Sequence, residues 1–302
     1  MKIIDFMKYR LVSLVLSLVL VVASIASIAT QGLNLGLDFT GGTLLEVEYQ
    51  QPVAVGDIQS VLVAEGFRDV AVQYFGSETD IIVRMSEAFR DNLGNEVLAL
   101  LQATSADNPV ILKRSEFVGA SIGEELRDQG GLALLLALAV VMLYVAARFQ
   151  FKFSVASVLA LFHDVVIIVG LFSIFQWEFD LTVLAALLAV IGYSLNDTIV
   201  VADRIRENIR IIRRAEIMEI INESITQTFG RTIMTSMTTA AVLLALLLVG
   251  GDLIHNFAIA LMIGVLVGTY SSIYIASNML VVMNLTREDL IPPELEEVDD
   301  RP

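Results

Sequence analysis

The 302-residue chain is 56% hydrophobic, carries a formal net charge of -15 and contains no cysteine. Disulfides and thiolate metal sites are therefore excluded in any compartment, and the acidic balance argues against nucleic acid as a partner. The apolar residues come in long blocks instead of at core-face spacing, which is a membrane composition.

The first uncharged run of spanning length is Leu11–Ala29, preceded by Lys2, Lys8 and Arg10. A basic start with small residues at Ser27 and Ala29 also fits a cleaved signal peptide. The apolar run of 19 residues exceeds the usual signal core, so residues 1–29 read as a cytoplasmic N-terminus and a retained transmembrane helix.

Residues 30–130 are polar and form a separate domain. Strand-like patterns at Thr43–Tyr49, Val70–Phe75, Asp80–Met85 and Pro109–Phe117 alternate with helical spacing over Val55–Gly66 and Glu87–Leu101. That β-α-β-β-α-β order predicts a small ferredoxin-like α+β sandwich. The domain holds 16 Asp and Glu against 6 Lys and Arg, which fits either a face for basic partners or, the reading we favour, a solvated surface.

Five more runs follow over 131–286, at Gly131–Ala147, Phe153–Trp177, Leu181–Ala202, Thr232–Gly251 and Asn256–Thr286. The fold class is thus a polytopic α-helical membrane protein of six transmembrane helices, with the α+β domain between helices 1 and 2. Short cytoplasmic loops collect positive charge. Arg148 and Lys152 lie between spans two and three, and Arg204, Arg206, Arg210, Arg213 and Arg214 follow span four, while the loops around Glu178–Asp180 and Gly250–Asp252 have neither Lys nor Arg. Both termini are therefore placed in the cytoplasm and domain 30–130 outside it. The segment 204–230 mixes Arg with Ile at near-helical spacing and is predicted to lie along the membrane surface. The acidic, proline-containing tail 287–302 reads as disordered.

Asp197 is set in a run that otherwise reads as lipid-soluble helix. It lies six residues inside Asp203, about 9 Å deep at 1.5 Å per residue, and Arg231 reaches the same depth if its helix begins near Ile225. A carboxylate at a helix centre costs roughly 2.5–3.5 kcal/mol on insertion scales, so it faces a bundle interior or a wet cavity and takes a partner. Tyr193, Ser194 and Asp197 share one face of span four, with Asn196 beside them, and Arg231, Thr235 and Thr238 share one face of span five. The expectation is an Asp197–Arg231 pair supported by Ser194, Asn196 and Thr235. His163 and Asp164 lie deeper, about 16 Å from the cytoplasmic end of span three. Two readings of that pair stay open: an extension of a proton path, or a polar contact that fixes helix register. Gly264, Gly268 and Ser272 form a small-residue ladder read as packing. No nucleotide-binding loop, cofactor, metal site or catalytic residue is predicted.

At these residues the chain resembles the SecF family, the smaller subunits of the SecD–SecF protein-export complex in the resistance-nodulation-division superfamily. The resemblance rests on Leu35-Gly36-Leu37-Asp38-Phe39-Thr40-Gly41-Gly42, on Val118-Gly119-Ala120-Ser121-Ile122-Gly123, on His163-Asp164, on Gly192–Val201 with Asp203–Asn208, and on Arg231-Thr232. It implies a bacterial inner-membrane subunit, with domain 30–130 periplasmic, that uses the proton motive force to help preproteins finish crossing the translocon. It further implies a SecD-like subunit, the SecYEG translocon, the translocating preprotein and protons as partners, with YajC as a further candidate. Asp197 and Arg231 match the residues that proton-dependent work requires in the family. Ala120 stands where the family often has proline. Gly36, Gly41 and Gly42 are expected to permit left-handed turns in a joint between span and domain, which Asp38 shares.

A six-span unit with one outer domain supplies one side of a pseudo-symmetric transporter, and such repeats place ion sites at their interface. A proton-coupled small-molecule efflux subunit is the alternative function, and a passive scaffold a third.

Overall fold

A computed structural model of the chain describes residues 3–87, 90–105, 107–212, 215–251 and 254–290. Arg213 and Arg214, Asp252, and residues 291–302 of the tail lie outside the described residues.

Helix α1 (Arg10–Gln31) continues from a 3-10 turn at Phe6–Tyr9. Its buried side chains are Ser13, Ser17, Ser24 and Ser27, one face of an apolar helix. There it meets α6 (Phe151–Phe175): Ser27 and Ser173 share a hydrogen bond of 2.8 Å, and Gly170 gives room to Ser24. Small polar residues let membrane helices approach closely, because no hydrophobic drive separates helix from lipid.

After α1 come β1 (Asn34–Leu35), α2 (Leu37–Thr40), β2 (Gly42–Tyr49), α3 (Val55–Ala64), β3 (Ala71–Phe75), β4 (Ser77–Met85), α4 (Leu93–Thr104) and β5 (Val110–Val118). The sheet order is β3-β4-β2-β5, every pairing antiparallel. Alternation along β2 sends Leu45, Val47 and Tyr49 into a core with Ile58 and Leu62 of α3 and Val97 and Leu101 of α4. α4 starts later than the pattern from Glu87 predicts, because a turn bonded from Leu93 N to Arg90 O (3.0 Å) precedes it.

The remaining elements are α5 (Ala120–Arg148), β6 (Glu178–Phe179), α7 (Leu181–Ile211), α8 (Ile217–Val249), α9 (His255–Ser271), a π-turn at Ser272–Ala276 and α10 (Ser277–Val282). Among the described residues six helical spans are long and apolar enough to cross a membrane, α9 through α10 counting as one.

The stretch 204–230 is not a helix of its own. α7 runs unbroken for 31 residues to Ile211 and α8 for 33 from Ile217, where Glu216 and Glu219 form a reciprocal cap. Helices that long reach about 45–50 Å, well past a hydrocarbon core of about 30 Å. The isoleucines predicted to lie on a membrane surface instead pack between the two helix ends, where Ile205, Ile209 and Ile220 join Phe6 and Phe153 in one cluster.

Candidate functional site

Two buried carboxylates lie inside the bundle, and the structure treats them differently. Asp164 is fully buried on α6. Its Oδ1 is 3.0 Å from His163 Nδ1, and its Oδ2 accepts hydrogen bonds from Ser194 Oγ of α7 (2.6 Å) and Ser271 Oγ of α9 (2.8 Å). Gly268 makes this approach possible, since a Cβ there would lie 3.0 Å from Ser194, and Gly264 does the same against Val190. The His163 ring stacks on Tyr270, with centroids 6.2 Å apart, and the Tyr270 hydroxyl donates to the Ser13 carbonyl of α1 (2.7 Å). One carboxylate thus joins α6, α7 and α9, and its histidine neighbour extends the cluster to α1.

Asp197 has no such company. It is 4% exposed, and its Oδ2 is buried without a hydrogen-bond partner among the described residues. The expected ion pair with Arg231 is not formed. Arg231 is exposed on α8, and its charge acts on Asp197 through space. Asn196 is also exposed, since one step along a helix turns a side chain by about 100°. Thr235 returns its hydroxyl to the carbonyls of Arg231 (3.1 Å) and Thr232 (2.9 Å), so it does not reach Asp197. Of the predicted stripe, Ser194 is buried but serves Asp164.

Sequence reasoning missed the hydroxyls that build these seams. Tyr193 Oη reaches Ser236 Oγ at 3.5 Å, and Ser236 shares a 2.6 Å bond with Thr269, so hydroxyls link α7, α8 and α9. A helical spacing of Ser and Thr on facing spans was the available signal. On the side of the helix ends a groove of about 520 Å³ opens between α5, α7 and α8, and its charged lining includes Arg148, Asp203, Arg204, Glu207 and Arg231.

The glycine-rich segment after α1 forms the joint between span and domain. β1 pairs in parallel with β6, and Gly36 N donates to Phe179 O (2.8 Å). Asp38 Oδ2 accepts from Leu181 N (3.1 Å), capping α7 from another part of the chain. Gly41 and Gly42 have φ of 67° and 120°, and a Cβ on either would meet backbone within 2.7 Å. Gly36 differs from expectation: its φ is -69°, and glycine is needed because a Cβ would press on Asp180 and Glu178 at 3.0 Å. Arg84 of β4 pairs with Glu178, tying the domain sheet to the same loop. Burial pushes the Glu178 carboxyl above its ordinary range, and the Arg84 guanidinium pulls it back in part.

Comparison with known proteins bears on both sites. Residues 97–286, which hold His163, Asp164, Asp197 and Arg231, match the family model of protein export membrane protein SecD/SecF, C-terminal, and residues 26–53 match the SecD/SecF GG motif. A protein translocase subunit SecF of Pseudomonas aeruginosa is 53% identical over 99% of this chain and 98% of its own length. The chain belongs to the SecF family. A SecF of Vibrio alginolyticus is 46% identical over 100% of this chain and 98% of its own. The crystal structure of SecDF from Thermus thermophilus, titled a translocon-associated membrane protein, superposes with a TM-score of 0.86 at 37% identity over 94% of this chain. This SecF-family chain spans 39% of the length of that SecDF chain. A SecDF structure in a super-membrane-facing form gives a TM-score of 0.72 at the same 37% identity, over 95% of this chain and 40% of that one. This chain is accordingly a multi-pass membrane protein of the protein-export family.

Proposed function

We propose that this chain is a proton-driven auxiliary subunit of the Sec preprotein translocase, promoting the late stages of export across the bacterial inner membrane. The observation that carries the proposal is Asp197, an acid buried in a membrane helix with an oxygen that has no hydrogen-bond partner among the described residues. A buried carboxylate left without donors is costly when ionised, and so is an inviting place for a proton. Arg231 of α8 acts on Asp197 through space, so a small shift of α8 against α7 loads or unloads the acid. Each charge carried across the membrane field contributes about 2.3 kcal/mol per 100 mV, enough to bias a two-state bundle.

His163 and Asp164 hold α6, α7 and α9 in register around that step. Of the two roles open to them, anchoring is the one supported by the hydrogen bonds that tie both Asp164 oxygens to α6, α7 and α9. Asp38 and the Arg84–Glu178 pair carry motion of the outer end of α7 to the outer domain. A SecD-like subunit covers the exposed side of α8, where Arg231 stands among the outward-facing Met234, Met237 and Leu244. SecYEG, the emerging preprotein and YajC follow as partners of that assembly, with both termini cytoplasmic and the outer domain periplasmic. Export is favoured over small-molecule efflux because the relatives that match this chain along nearly its whole length are protein translocase subunits.

The test is Asp197→Asn in cells. Export should stop while the chain still accumulates and assembles with its partner; undiminished export would reject the proposal.

A further inference from the structure

The seam between α7 and α8 has a second unusual residue beside Asp197. Threonines in membrane helices normally return the hydroxyl to a carbonyl three or four residues back. Thr198, Thr226, Thr228, Thr235 and Thr269 all do so, at 2.7–3.1 Å. Thr232 does not. It is 1% exposed, and its Oγ1 is buried with no hydrogen-bond partner among the described residues.

The register of the seam brings the two residues level. Tyr193 meets Ser236 across the antiparallel pair, Arg204 meets Gln227, and Asn208 Nδ2 donates to Ser224 Oγ at 2.8 Å. Asp197 is four residues inward of Tyr193 on α7, and Thr232 four residues inward of Ser236 on α8. Thr228 and Arg231, on the adjoining turn of α8, line the charged groove. The groove thus ends within a helical turn of a buried acceptor and a buried hydroxyl, neither of which has a hydrogen-bond partner among the described residues.

We propose that Asp197 Oδ2 and Thr232 Oγ1 together hold one water molecule, and that this water is the immediate acceptor of the proton leaving Asp197 for the groove. The inference deepens the proton-driven reading and rests on it for the direction of transfer. Buried waters take two to four polar partners, which this pair begins to supply, whereas a hard cation such as calcium takes six or more oxygens. In the transfer the O–H bond on Oδ2 breaks, an O–H bond forms on the water to give hydronium, and the carboxylate remains. The Thr232 hydroxyl suits both states: it accepts from hydronium and, after rotating, donates to water. Charged and titratable neighbours come from each side of the seam. Arg231 of α8 acts on Asp197 directly, Asp164 and His163 of α6 stand behind Ser194, Tyr193 lies one turn outward on α7, and α5 brings Arg148 to the groove mouth. α9 faces α7 with Gly264 and Gly268 and brings no charge there.

Thr232→Val and Thr232→Ser separate this role from packing. Because the hydroxyl has no partner among the described residues, Thr232→Val should melt at the wild-type temperature. With the full chain and its partner subunit in proteoliposomes, Thr232→Val should slow proton uptake about tenfold or more, approaching the hundredfold that a general acid itself contributes, and Thr232→Ser should restore it. Infrared difference spectra after a pH jump in ¹⁸O-labelled water should show a shifted water band that Thr232→Val removes and Thr232→Ser keeps. Wild-type uptake with an unchanged water band in Thr232→Val overturns the inference, as does sodium that abolishes the band and replaces protons as the driving ion. Failure of the proton-driven reading looks different: Asp197→Asn would then take up protons like the wild type, with the water band still sensitive to Thr232.

Discussion

Asp164 and Asp197 are two carboxylates buried in adjacent membrane helices, and they differ in what surrounds them. Asp164 is bonded by a histidine and two serines from three helices, so both of its oxygens are already engaged. Asp197 stands four residues from Tyr193 and three from Ser194, yet keeps an unbonded oxygen and a cation acting only through space. A satisfied buried acid resists change, because altering its protonation breaks several bonds together. An unsatisfied one changes state at the expense of its own solvation alone. Depth in the membrane and residue type are therefore poor guides to which acid works; the bonding around it is the better one.

The comparison fails most visibly if Asp197→Asn leaves export intact, since loss of essentially all proton-dependent export is the largest effect foreseen. Next in size is Asp164→Leu. It strands Ser194, Ser271 and His163, and at about 0.6 kcal/mol for each membrane hydrogen bond the loss is roughly 2 kcal/mol. Thermal unfolding in detergent measures it; a destabilisation no larger than that of Asp197→Leu would erase the distinction between anchoring and working acids.

Smaller still is Asp38→Ala, which removes one of two acceptors at the start of α7, where Asp180 still accepts from Val183 N (2.9 Å), and so costs less than the roughly 1 kcal/mol of a lone cap. Faster hydrogen exchange at the Leu181 amide, with Asp38→Asn close to wild type, is the expected sign. The smallest effect belongs to Asp80 on the domain surface, where the Lys113 ammonium at 2.6 Å, with the Ser77 hydroxyl, holds the carboxyl below its ordinary range. A lowered folded value contributes stability above the unfolded pKa of about 4, and that contribution disappears as pH falls through the folded value. Amide protection in β4 and β5 should thus weaken in acid, and less so in Asp80→Asn.

Much of this molecule was legible beforehand. Long uncharged blocks report spans because lipid offers nothing to hydrogen-bond, so each run must be a helix, and its length is fixed by bilayer thickness. The strand and helix order of the outer domain was readable because alternation and helical spacing are local. Boundaries set by a turn, as at Leu93, and the long continuations of α7 and α8 were not, because amphipathic isoleucines fit a membrane surface and a helix–helix seam equally well.

The sequence by itself determined that an acid, Asp197, and an arginine, Arg231, lie on long apolar spans, and that a glycine-rich joint leads out of the first span. Only the tertiary structure decided that Arg231 turns outward, that Ser194 serves Asp164, and that the buried Thr232 hydroxyl has no partner among the described residues. Depth follows from counting residues along one helix. Pairing depends on how helices rotate and approach one another, which Gly264, Gly268 and Ser24 settle through contacts between segments far apart in the chain.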